Sequence, residues 1–190
     1  MDNAFKSTFG SWIQAIGTVL SAIGNTPSKT LPEDTLDNID IVGNELQATG
    51  NALEADAIAD PASLTKIGNQ IQSIGNLTVL TGMMMDFNEV TEQELIIKGN
   101  LLQALGGSAA VADSLDEERT LDELLSIYGN GLQVIGNTLQ AISGILELNH
   151  EDSGDLNVAG SWIQAVGAVL SALVQSQPAS PASSDSASNS

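Results

Sequence analysis

The 190-residue chain contains no cysteine, which excludes disulfides and thiolate metal sites. Basic residues are nearly missing too. Lys6, Lys29, Lys66, Lys98 and Arg119 stand against 24 acids, giving a net charge of −19. They are scattered and form no basic stripe, so the sequence speaks against nucleic-acid binding and against electrostatic adhesion to anionic lipid. The same imbalance favours solubility. Aromatic residues are limited to Phe5, Phe9, Trp12, Phe87, Tyr128 and Trp162, so the expected core is built from Ile, Leu, Val and Ala. No basic n-region precedes an unbroken apolar run, so no signal peptide is expected and the compartment stays open. From about Ser176 a Ser/Ala/Pro tract is too polar to bury anything. It is expected to be a disordered tail over 176–190, leaving one domain over 1–175.

Catalytic chemistry is equally sparse. The single histidine, His150, lies in the turn Asn149-His150-Glu151-Asp152 and reads as solvated, because the sequence places no partner beside it. The stretch from Asn149 to Gly160 has Gly154 at the sixth position of a calcium loop, but Gly160 stands where the bidentate glutamate belongs. A di-metal carboxylate site needs Glu-x-x-His pairs, which one histidine cannot supply. No Gly-x-Ser-x-Gly elbow, Ser/Lys dyad or phosphate loop occurs. The sequence therefore predicts no catalytic residue, no cofactor, no metal and no small-molecule substrate: a non-enzyme. The acidic clusters Glu33-Asp34, Asp116-Glu117-Glu118 and Glu151-Asp152 read as charge complementing helix N-termini.

What the chain has in plenty is glycine, arranged in a repeated phrase. Gly-x-x-(Ile/Leu)-Gln-x-x-Gly begins at Gly10, Gly43, Gly68, Gly99, Gly129 and Gly160, at separations of 33, 25, 31, 30 and 31 residues. The closing glycines are Gly17, Gly50, Gly75, Gly106, Gly136 and Gly167. The aliphatics are Ile13, Leu46, Ile71, Leu102, Leu132 and Ile163, followed by Gln14, Gln47, Gln72, Gln103, Gln133 and Gln164. Such spacing is that of one supersecondary unit repeated along the chain. Glycines seven apart with an aliphatic between them form a heptad face with glycine at a. Glycine inside a helix costs about 1 kcal/mol against alanine, so twelve of them imply neighbouring backbones close enough to need the missing Cβ.

The expected fold is all-α: six antiparallel helices near 3–25, 31–57, 61–85, 92–113, 121–147 and 154–175, in a tightly packed up-and-down bundle. Thr91-Glu92-Gln93-Glu94 and Thr120-Leu121-Asp122-Glu123 read as capping boxes, with Thr30-Leu31-Pro32-Glu33 on the same scheme. Asp60-Pro61 reads as an N-cap followed by proline, and Asp152 or Ser153 as the cap of the last helix.

The first and last helices are near copies (GSWIQAIGTVLSAI at 10–23, GSWIQAVGAVLSAL at 160–173) and lack charge over most of their length. They either pair with each other or face a second subunit or lipid. Trp12 and Trp162 occupy equivalent positions on them and, with Gln14 and Gln164, are the candidate interface. For the six glutamines the favoured reading is a flanking polar residue bonded to a neighbouring backbone; the competing one is an interhelical or intersubunit ladder, or a row of ligand-facing amides. The small residues Ser11, Asn44, Asn69, Asn100, Asn130 and Ser161 are placed beside the same contact, and Met83-Met84-Met85 with Phe87 reads as an adaptable core plug.

The phrase Gly-Asn-x-Leu-Gln-Ala-x-Gly-Asn, with its Gly-Ser-Trp-Ile-Gln-Ala variant at both ends, resembles uncharacterised repetitive proteins of Bacillus-type bacteria over residues 10–174. The resemblance implies a bacterial setting, cytoplasmic or associated with spore or envelope, and transfers no site residue. The function expected is that of a structural or interaction protein forming homo-oligomers. The alternative is a membrane-active protein that inserts its uncharged first and last helices, for which Ser7 to Pro27 is nominally long enough.

Overall fold

Each glycine phrase lies inside its own helix. The computed structural model describes residues 2–115 and 120–177, within which the helices are α1 (Asn3–Gly24), α2 (Glu33–Ala57), α3 (Leu64–Met84), α4 (Glu89–Leu115), α5 (Leu121–Leu148) and α6 (Leu156–Gln175). The acidic cluster Asp116-Glu117-Glu118, and the tail expected to be disordered beyond Gln177, lie outside the described residues.

Helix starts depart from the expected caps at four places. Asn88, not Thr91, caps α4, its Oδ1 accepting from the Thr91 N–H at 3.0 Å. Ser63 caps α3 through the Lys66 N–H, while Asp60 turns back onto the Ala62 N–H in the preceding loop. α2 begins at Glu33 with Pro32 ahead of it and no side-chain cap. α6 begins after Asp155, also uncapped, because Asp152 bonds Gly154 and Ser153 bonds Glu147 instead. Only Thr120 caps where expected, accepting from the Glu123 N–H. At α3 and α4 a nearer Ser or Asn takes the first backbone donors, whereas ahead of α2 and α6 the polar side chains bond away from the helix start.

Every helix packs on its neighbours in sequence and α1 packs on α6, so the six close into a ring. The closest contacts are within the pairs α1/α2, α3/α4 and α5/α6, and all twelve phrase glycines lie in them. Gly17 faces Gly43 and Gly10 faces Gly50, which makes the pair antiparallel. A Cβ on Gly17 would stand 2.6 Å from the Gly43 carbonyl and 2.8 Å from the Gln47 backbone nitrogen. Gly75/Gly99 and Gly136/Gly160 repeat the arrangement in the other two pairs.

The expected aliphatic core is corrected by the structure. Its buried apolar residues are mostly alanine, and the largest fully buried side chains are Gln47, Gln133, Asn51, Asn76 and Asn137. The bulky aliphatics face outward: Ile16, Ile74, Leu105, Ile135 and Val166 are each more than half exposed. They stand six residues after the opening glycine of their phrase, and α2 alone has a polar residue there, Thr49. The phrase aliphatics such as Ile13 and Leu46 are half-buried between helices. Geometry explains the inversion. Backbones in contact at glycine leave the bundle axis to the residues one and four after it, which are Asn or Ser and Gln. The Met/Phe plug is likewise corrected, since Met84, Met85 and Phe87 are exposed and only Met83 is half-buried.

Candidate functional site: an amide-lined axis with two end cavities

Six buried glutamines from six helices meet on the bundle axis. Gln14 Nε2 donates to Gln133 Oε1 at 2.8 Å, and Gln164 Nε2 donates to Gln47 Oε1 at 2.9 Å and to Gln103 Oε1 at 3.2 Å. Gln47 and Gln133 pass the chain on to the Ser21 and Ser171 hydroxyls. Gln72 closes locally on Asn69. Buried amides ordinarily need hydrogen-bond partners, and these glutamines largely supply each other. The ladder reading of the glutamines is therefore the correct one, and Gln14 and Gln164 belong to the interior, not to an interface.

Most of these contacts follow an internal two-fold relation that exchanges α1 with α6, α2 with α5 and α3 with α4, from which the Gln164–Gln103 bond departs. Trp12 Nε1 donates to Ser176 Oγ at the end of α6, while Trp162 Nε1 donates to Thr26 Oγ1 just beyond the end of α1. Gln14–Gln133 is the counterpart of Gln164–Gln47, and Gly10/Gly50 of Gly160/Gly136. The two uncharged end helices thus do pair with each other, and both tryptophans remain partly exposed on the seam.

A polar cavity lies at each end of the axis. The first, about 130 Å³, is walled by all six helices, with Ser21, Asp40, Asn44, Asn100, Gln140 and Glu147 among its residues. The second, about 290 Å³, places Ser171, Asn130, Asn69 and Glu54 where the first has Ser21, Asn44, Asn100 and Gln140. Each cavity has one strongly perturbed acid, but at positions that the two-fold does not exchange. Burial pushes the Asp40 carboxyl up to about 6, against the opposing hydrogen bonds from Ser21 and Asn25. Burial alone pushes Glu54 up to about 8. Asp113, on the second cavity, goes the other way. The Thr65 hydroxyl at 2.7 Å, the Thr65 N–H at 2.9 Å and the Ser63 hydroxyl at 3.1 Å hold its charge below the usual carboxylate range.

Sequence reasoning missed Asp40 and Glu54. A signal was available for Glu54, since it stands four residues after a phrase-closing glycine, where Gln140 stands in α5. His150 is exposed, as expected of a turn residue, and takes a left-handed backbone (φ 59°) at the end of α5.

A family model described as "Family of unknown function (DUF6944)" matches residues 5–172. The chain belongs to this family. Within the DUF6944 match lie all six glycine phrases, the glutamines between them and the lining of both end cavities apart from Gln175. No curated protein and no solved structure matches the chain.

Proposed function

We propose that this protein is a non-enzymatic structural bundle that associates with copies of itself through the side formed by α5, α6 and α1. The observation that carries the reading is the inverted distribution of side chains: amides inside, bulky apolar residues outside. On that side Ile16, Trp12, Val166, Trp162, Leu173 and Ile135 are exposed, with no charge between Ser7 and Pro27 or between Leu156 and Gln175. An uncovered apolar surface of this extent costs free energy in water. A standard interface takes roughly 800 Å² from each partner. Tryptophans with their indole N–H groups already satisfied are suited to its centre. The spore or envelope setting that the repeat resemblance implies suits an assembly of this kind.

Light scattering after size exclusion is expected to give a multiple of 19.6 kDa. The double variant Ile16→Lys/Val166→Lys, placed on fully outward positions, is expected to give a folded monomer. A monomeric wild type would sink the proposal.

A bilayer is the second reading, favoured by the same inversion and by α4 and α6, the two helices among the described residues that are long and apolar enough to cross a membrane. α1, the sequence's own candidate beside α6, does not reach that threshold. Against lipid stands the outer face of α2, where Glu45 is exposed near mid-helix and would cost about 2.5–3.5 kcal/mol or more in hydrocarbon. Flotation of the purified protein with liposomes would favour the bilayer; sedimentation away from them would remove it.

A further inference from the structure

Resting on the self-association proposed above, we infer that two copies meet about a two-fold axis along α6, with Trp12 of each packed onto the bare helix surface at Gly131 of the other. Gly131 is the anomaly that points there. A Cβ on any other helical glycine would stand against a neighbouring group, whereas at Gly131 nothing lies within 4 Å among the described residues. A helical glycine costs about 1 kcal/mol against alanine, and no contact within the chain accounts for this one. Elsewhere the chain keeps glycine in its helices where another group comes close. At Gly131 that group comes from outside.

The phrase positions say which group. Gly131 lies two residues after the opening glycine of its phrase, on the outer face of α5 between the exposed Tyr128 and Ile135. The same position on α1 and α6 holds Trp12 and Trp162, each more than a third exposed. The bulkiest side chains and the missing one thus share one level of the phrase and one side of the bundle. α1 and α5 run in the same direction, since each is antiparallel to α6. They are also in register, because Gln14 and Gln133, two residues beyond Trp12 and Gly131, are joined at 2.8 Å.

α6 is the middle helix of this side. A two-fold axis parallel to it sets α1 of each copy over α5 of the other without changing level, and so brings Trp12 over Gly131. The contact is isologous, made twice by one geometry. The Trp12 indole N–H already donates to Ser176 Oγ at 2.7 Å, so the ring can be covered without losing a hydrogen bond. Charge favours a second copy as the occupant. Each copy carries a net charge of −19, yet no acid stands in α1, in α6 or in residues 124–146 of α5. The one base on these stretches, Lys6, is held by Asp56 of its own chain. Two copies can therefore meet here without opposing carboxylates.

The test is sedimentation of the full chain over a series of concentrations. Within one chain a side chain at Gly131 meets nothing, so Gly131→Leu is expected to keep the wild-type circular dichroism while its dissociation constant rises about tenfold or more. Trp12→Ala is expected to act alike, and the double variant to associate little more weakly than either single one, because both remove one contact. Hydrogen exchange of the wild type above and below its dissociation constant reads the same surface without a variant. Amides around Trp12 and Gly131 are expected to gain protection together. An associating wild type with unchanged affinity in Gly131→Leu, additive effects of the two substitutions, or protection gained elsewhere would overturn the Trp12–Gly131 contact and leave self-association standing. A wild type monomeric at every concentration would overturn both, and its flotation with phosphatidylcholine liposomes would assign this side to lipid.

Discussion

Gly17→Leu abolishes the α1/α2 pair. A side chain at this position meets backbone on the facing helix, with the Gly43 carbonyl 2.6 Å and the Gln47 nitrogen 2.8 Å from its first carbon. Backbone cannot swing aside as the end of a flexible side chain can, so relief requires the two helices to separate. Overpacking a well-packed core ordinarily costs about 1–3 kcal/mol, and here the expected loss exceeds about 3 kcal/mol. Gly167→Leu meets the Gly129 carbonyl at 2.5 Å and is expected to act alike. Gly131 is the internal control. A Cβ there finds nothing within 4 Å, so Gly131→Ala is expected to stabilise by up to about 1 kcal/mol through helix propensity. Urea unfolding followed by circular dichroism reads all three variants. A Gly17→Leu protein with wild-type midpoint would mean that the helices are not in backbone contact.

The second large effect is a loss of stability as pH rises, opposite to what paired carboxylates usually give. Glu54 titrates near 4.5 when exposed and near 8 in the fold, so the folded state holds its proton more tightly. Its contribution is complete below pH 4.5 and is lost as pH climbs through about 8, at about 1.4 kcal/mol for each pH unit. Asp40 adds a loss of the same sign between its ordinary 3.8 and about 6. Asp113, held charged by Ser63 and Thr65, works in the other direction, but its contribution is lost only as pH falls through its lowered pKa. The unfolding free energy is therefore expected to be several kcal/mol larger at pH 5 than at pH 8.5. Glu54→Gln should remove most of the slope between pH 6 and 8. A curve that is flat there in the wild type would place a compensating charge beside Glu54.

Helix number, helix extent and the glycine contacts were legible in the sequence because they rest on local rules. A seven-residue glycine period admits one explanation when it recurs in six segments, and all twelve glycines lie at the contacts it implies. The interior was not legible by the same route. Aliphatic residues are assigned to a core by default, and Ile13 and Leu46 sit on the glycine side of their helices as that rule requires. The rule fails because contact at glycine brings the backbones of each pair so close that these side chains end up in the flanks between helices, half-exposed. A sharper clue lay in the polar positions. Asn or Ser one residue after the opening glycine and Gln four after it recur as faithfully as the glycines, whereas an exposed face has no reason to fix residue type. Glu54 was hidden for a different reason. It reads as one more acid among 24, and its place four residues after a phrase-closing glycine, where α5 has Gln140, gains meaning only once the fold sets α2 opposite α5 across the two-fold.

The inversion of side chains also determines how this protein responds to heat and cold. The curvature of a stability curve comes from apolar surface that water meets only on unfolding. Here many of the largest aliphatic side chains are wetted in the folded monomer, and the groups released from the axis are amides, whose hydration lowers the heat capacity. The monomer's unfolding heat capacity therefore falls below the common value of about 12–15 cal/mol/K per residue, giving a broad, shallow dome. Calorimetry of the monomeric Ile16→Lys/Val166→Lys protein would read it directly. Such a bundle loses little on cooling, because what holds it together is a hydrogen-bonded lattice of amides and backbone-to-backbone packing, neither of which weakens as water grows colder.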